Sequence, residues 1–418
     1  MKITIFGFIW IMLIFLCICK RNIKNLITLT LFSMIFQCNN VIVLSSGTGV
    51  GPQIITSLIF VCCSFFLKNS RLDKVTISTK NLKLVFPWFL IILIVIISSS
   101  INNVFKLNLL RIIQLIIYIC CFMRILKISK YIDYDLDKHF RIIVWFVVVC
   151  GLIQFLMSVG IIPKFRIFSE LIYNEKNNPV VFFYNPNVKR LFSTFMEASY
   201  SSPLLVGAFY YFVYDYINFN NKNNKLLIII LFIEILLTFS ATAYVIFCLC
   251  GAIMLLLSKQ RKALNYKIVI FLLVSIILIF GGDKVIELIQ QKLSSGSGVA
   301  RNSWNIWSMR DFYSSPIYGV GYKNSRASSL LITLLGELGI SGVILYICGI
   351  FSVIYYFLKD NHSFIFLRKY LLILISVLLA QFVSCPDLDF CVFWMSMYIM
   401  AIAYYQKTPK FKCVIQKS

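Results

Sequence analysis

Apolar runs of about 15–20 residues recur along nearly the whole chain, separated by short stretches rich in lysine and arginine. A helix rises about 1.5 Å per residue, so each run approaches the thickness of a bilayer's hydrocarbon core. In lipid the backbone must satisfy its own hydrogen bonds, and the two-residue alternation of a membrane barrel is missing, so the runs predict helices. They fall at 3–19, 26–44, 53–67, 84–98, 107–123, 142–160, 202–217, 226–239, 243–257, 268–280, 330–358, 370–383 and 390–405. The expectation is an all-α polytopic integral membrane protein of about thirteen spans, one integral domain over 1–418. Two intervals break the rhythm: 161–201 and 281–328 are polar, aromatic and charged, and predict two long loops on one side.

Composition sharpens this picture. The chain has 418 residues, 60% hydrophobic and 13% charged, which excludes an ordinary soluble globule. A net charge of +24 invites a nucleic-acid partner, but 26 of the 40 Lys and Arg fall in loops on one side of the alternating spans. The short loops on the other side carry only Lys106. This is the positive-inside bias of a plasma-membrane protein with its N-terminus outside, and no nucleic acid is needed to explain it. The first run is followed by Lys20, Arg21 and Lys24 instead of a small-residue cleavage site, so it reads as a retained span. Most of the fourteen cysteines sit in spans as small hydrophobes; Cys385 and Cys391, flanking PDLDF, are the one pair placed to meet in an oxidising compartment. Arg111 and Glu234 are costly inside spans and are candidates to pair, while Glu337 reads as a helix-end charge.

The two long loops carry eleven basic residues against the orientation bias, which points to an anionic partner at the outer face. The two histidines, His139 and His362, fall in inner loops, so catalysis outside rests on arginine, carboxylate, tyrosine and backbone amides, with no cofactor and no metal required. In the first loop Arg190, preceded by Lys189, stands seven residues before Glu197, two turns if the segment is helical. Arginine presents a planar fork to phosphate oxygens, and a carboxylate near an apolar surface can take a proton from a hydroxyl. In the second loop Arg301 and Arg310 are nine residues apart, half a turn out of phase on an unbroken helix, with Trp304 and Trp307 between them. The turn SPIYGVGY follows, flanked by Tyr318 and Tyr322, then Lys323 and Arg326 before the next helix. Catalytic roles fall to Arg190, Glu197, Arg301 and Arg310, and substrate-binding roles to Lys189, Tyr318, Tyr322, Lys323 and Arg326.

An arginine before FMEASYSS, then SPIYGVGY, then a helix carrying GELGISG resembles the O-antigen polymerase and O-antigen ligase family over about 190–342. Arg310 and Gly321 also match the Arg-x10-Gly spacing of some polymerases. The resemblance implies condensation of undecaprenyl-diphosphate-linked oligosaccharides at the outer face of the inner membrane, with functional arginines from both loops in one cationic pocket. It also implies a chain-length regulator and a flippase as partners. Two departures are visible. Ligases usually carry a histidine after the GVG turn, where this chain reads NSRASSLL, which favours a repeat-unit polymerase over a ligase acting on lipid A core. The Ser-Arg pair common at the turn before the ninth span is Ser240-Ala241 here. From another class, a transporter or flippase of lipid-linked oligosaccharide would call for charges along a path through the spans.

Overall fold

A computed structural model describes residues 2–44, 49–66, 79–163, 165–173, 189–257, 296–359 and 364–406. Its helices are α1 (Ile5–Cys19), α2 (Ile23–Ser33), α3 (Pro52–Phe66), α4 (Thr79–Ile101), α5 (Phe105–Ser129), α6 (Leu136–Val159) and α7 (Arg166–Tyr173). After them come α8 (Ala198–Phe219), α9 (Lys225–Leu237), α10 (Ala241–Leu257), α11 (Gly296–Ser314), α12 (Leu330–Lys359), α13 (Phe364–Val383) and α14 (Cys391–Tyr405). Three two-residue strands, β1 (Lys2–Ile3), β2 (Ile42–Val43) and β3 (Gly49–Val50), form a small antiparallel sheet against the start of α1. The architecture is all-α. Five helices, Lys83–Ile101 within α4, α5, α6, α12 and Phe366–Val383 within α13, are long and apolar enough to cross a membrane by length and composition. Their number is that of a multi-pass membrane protein.

Three expectations from the hydrophobic pattern need correction. The run 26–44 is not one span: α2 ends at Ser33, and the polar Gln37, Asn39 and Asn40 carry the chain into β2. Eleven residues of helix reach only about 16 Å, half a hydrocarbon core. The interval 161–201 holds the short helix α7, and α8 begins inside it at Ala198. Arg111 and Glu234 do not pair: Arg111 meets Asp389, and Glu234 is fully buried on α9 beside Gly151 of α6, its oxygens without a hydrogen-bond partner among the described residues. The expected span 268–280 lies outside the described residues.

The packing has two anchors. Helix α8 lies along α13, and α12 lies along α4. At one end of the bundle the buried Lys369 of α13 joins Asp137 of α6 at 2.8 Å and Asp215 of α8 at 3.1 Å. Tyr211 and Tyr370 donate their hydroxyls to Asp137, and Asn221 and Asn224 donate to Asp215, so the ionic groups are hydrogen-bonded as burial demands.

At the other end α12 is broken at Gly339, whose φ of 67° and ψ of −164° leave the helix. The turn between α11 and α12 fills the break. Val320 N–H donates to Gly336 C=O at 2.9 Å, Gly321 N–H to Glu337 C=O at 3.0 Å, and Ile340 N–H to Pro316 C=O at 2.9 Å. The turn therefore satisfies the groups that the break frees. Gly319, also at positive φ (67°), passes so close to Glu337 that a Cβ would lie 2.3 Å from its carbonyl carbon. From α4, Ser98 donates to Glu337 C=O at 3.0 Å, and Asn102 donates to Gly319 C=O at 3.1 Å. SPIYGVGY and GELGISG are two halves of one joint.

Candidate functional site

The joint fixes Lys323 and Glu337 at the end of the bundle opposite Lys369. There the first turns of α5, α8 and α12 surround the α13–α14 connection and enclose a cavity of about 720 Å³. Lys323 reaches Asp387 at 2.6 Å and Asp389 at 2.8 Å, both from that connection. Arg111 stands 3.7 Å from the second Asp389 oxygen and donates to Gln114 at 3.3 Å. Tyr200 of α8 donates its hydroxyl to Asp387 at 3.1 Å. Glu197, Arg326 and Glu337 complete the charged lining.

Three cations thus share the wall with four carboxylates, Glu197, Glu337, Asp387 and Asp389. This cavity is not the expected cationic pocket of loop arginines, because the PDLDF connection brings two acids into the middle of it. Burial disfavours the Lys323 ammonium, but Asp389 and Asp387 outweigh that cost and hold its pKa well above the ordinary 10.5. Burial likewise raises the Asp387 carboxyl, and Lys323 pulls it back to a net position below the ordinary 3.8.

Glu197 also borders a second cleft, of about 70 Å³, lined by Arg190, Arg301 and the α9–α10 turn at Ser240. Between Arg190 and Glu197 the chain is not helical. Its backbone is pinned between α6 and α9: Gln154 donates to Arg190 C=O at 3.0 Å, and Leu191 N–H donates to Leu237 C=O at 3.0 Å. Arg190 Nε is buried without a hydrogen-bond partner among the described residues. Glu197 itself is the N-cap of α8 in extended conformation, with its side chain off the helix amides and accepting from Ser199 at 3.2 Å. No ion pair joins Arg190 to Glu197 among the described residues.

Helix α11 runs unbroken from Gly296 to Ser314, so Arg301 and Arg310 point to opposite sides as their spacing requires. Arg301 lines the small cleft; Arg310 is exposed and lines neither space. Trp304 lies under the Arg326 guanidinium at 4.7 Å, whereas Trp307 is exposed. Lys189 is exposed, with its ammonium 3.5 Å from Val159 C=O, and Tyr318 is exposed on the far side of the joint. Tyr322 is fully buried beneath Lys323 and lines neither space. Of the nine candidates, Arg190, Glu197 and Arg301 meet at the small cleft, and Glu197, Lys323 and Arg326 meet at the large one.

Several lining residues escaped the sequence reading: Asp387, Asp389, Glu337, Gln53 and Arg111 in this role. A signal existed for the first two, since paired acids in a seven-residue connection are unusual in a chain with only 16 Asp and Glu. Cys385 and Cys391, on either side of PDLDF, are buried free thiols, and burial pushes the Cys385 thiol up to about 12. No protein family and no curated protein matches this sequence.

Proposed function

We propose that this chain is a repeat-unit polymerase, a glycosyltransferase of about thirteen spans in a bacterial plasma membrane, with both cavities open to the outer face. Two lines support the reading: the motif resemblance over 190–342, and the cation-rich second loop set against the positive-inside bias. The observation that carries it is Glu197, the one acidic residue common to both cavities, with Arg190 and Arg301 on the smaller. In the reaction the two guanidiniums hold the diphosphate of the donor lipid. Glu197 accepts the proton of the attacking hydroxyl on a second lipid-linked saccharide. The bond from the donor's anomeric carbon to phosphate oxygen breaks, the oxygen keeps the electron pair, and the arginines stabilise the charge that develops there.

The resemblance expects an arginine where this chain has Ala241, which lines the same small cleft; the site works with one guanidinium fewer. Arg310, Lys189, Tyr318 and Tyr322 take no direct part. A transporter finds less support. The charged groups gather in two layers at opposite ends of α8, from Glu197 to Asp215, about 27 Å apart by helical rise.

The test is complementation of a deletion strain with Arg190→Ala, Arg301→Ala and Glu197→Gln, reading polysaccharide length on a gel. Each is expected to leave single-unit product with transfer lowered by roughly 10²-fold or more, the usual loss for a group that stabilises developing charge. Normal long chains from all three would overturn the assignment.

A further inference from the structure

The 720 Å³ cavity holds far more space than a diphosphate needs, and its charges are largely spent on one another. Lys323 is shared by two carboxylates, and Arg111 faces one of the same pair. Arg326 is the one lining cation without an ion pair among the described residues, and its guanidinium is stacked on Trp304. The remaining lining offers neutral hydrogen-bonding groups. Two amide oxygens, on Gln37 and Gln53, are buried at that wall with no hydrogen-bond partner among the described residues, and the Gln53 residue is only 8% exposed. A ligand donor that reaches such an acceptor satisfies it. Phe390 and Met196 supply apolar surface beside these groups.

We infer that this cavity is a saccharide site that takes neutral or amino-bearing sugars and rejects acidic ones. Sugar hydroxyls donate to the amide oxygens of Gln37 and Gln53 and to the carboxylate oxygens that Lys323 leaves open. The lining sets four carboxylates against three cations, a formal excess of one negative charge, which an amino group offsets and a uronic acid enlarges. The inference rests on the proposed polymerase reading: the large cavity seats the acceptor glycan, and the small cleft holds the donor diphosphate.

The full-length protein in lipid nanodiscs is titrated with chitotriose acetamide (neutral), chitosan trimer (amino-bearing) and trigalacturonate (acidic), by calorimetry. The first two are expected to bind at least tenfold more tightly than the third. Gln53→Leu, and separately Met196→Trp, which fills the cavity without altering its charge, are expected to weaken the neutral trimer at least fivefold. Trigalacturonate binding as tightly as the neutral trimer overturns the charge selection. Absence of binding by every trimer at 10 mM, or affinities untouched by both variants in folded protein, overturns the cavity as the saccharide site. Farnesyl diphosphate is titrated in parallel. Its binding, lost in Arg190→Ala and Arg301→Ala, keeps the polymerase reading alive even if all three trimers fail; its indifference to both arginines sinks that reading whatever the trimers do.

Discussion

Lys323 bridges two carboxylates of the large cavity, Asp387 and Asp389, and its removal is a sharp local perturbation. Lys323→Met leaves Asp387 and Asp389 side by side with Arg111 and Arg326 as the remaining cations of the wall, so stability should fall by roughly 2–4 kcal/mol. That is less than for a wholly buried pair, because the Asp387 side chain is 36% exposed. Thermal unfolding in detergent measures it, and a second change, Asp387→Asn, should recover part of the loss by removing one unpaired charge. The pH dependence follows from the two shifts. Lys323 is raised, so its contribution is complete below pH 10.5 and disappears only as pH climbs through the higher folded value. Asp387 is lowered, so its contribution is complete above pH 3.8 and disappears as pH falls through the lower folded value. The pair should therefore hold from about pH 4 to pH 10, and Asp387→Asn should flatten the acid limb of the melting curve relative to wild type. The sequence made Lys323 visible as a cation in a loop rich in cations. Its partners were not visible, because Asp387 and Asp389 lie 64 and 66 positions further on, and no local pattern links a lysine to acids at that separation.

Among the elements, the break in α12 does what a continuous helix could not. A helix through Gly339 would keep its own hydrogen bonds and leave the Pro316–Gly321 turn nothing to bind. The open carbonyls of Gly336 and Glu337 take that turn instead. Gly339→Ala places a methyl group 2.5 Å from the Ile317 carbonyl at a φ that alanine resists, and should cost at least about 2 kcal/mol. Because the turn carries Lys323, the same variant should weaken transfer more than it lowers melting temperature. Parallel melting and polysaccharide-length measurements separate the two effects. Both glycine motifs stand out in the sequence, SPIYGVGY as a turn and GELGISG as part of a helix. Their interlocking was hidden, since it depends on backbone groups that every residue carries. Helix α2 shows the opposite failure. Leu26 to Leu44 is apolar enough for a span, yet a polar patch at Gln37, Asn39 and Asn40 ends the helix early and turns the chain toward the large cavity, where Gln37 supplies one of its unpaired oxygens.

Among the described residues the ion pairs centred on Lys369 and Lys323 settle in two layers joined by apolar helix. The layer around Lys369 ties α6, α8 and α13, and the layer around Lys323 holds the cavities. The loops 99–106 and 384–389 and the described residues 189–197, which charge alternation assigns to one side of a membrane, converge on the second layer, so the alternation and the packing agree on which ends belong together. They do not by themselves say which end faces the cytoplasm; the orientation proposed from the lysine and arginine bias has the cavities outside. The exposed Met196, on the cavity wall, and the exposed Lys130, between α5 and α6, make the pair to test. In a background with the native cysteines replaced, Met196→Cys should react in intact cells with a thiol reagent that cannot cross the membrane. Lys130→Cys should react only after the cells are broken. The reverse pattern would place both cavities in the cytoplasm, beyond reach of any glycan carried on the outer leaflet, and the polymerase chemistry drawn from Arg190, Glu197 and Arg301 would have no substrate to act on.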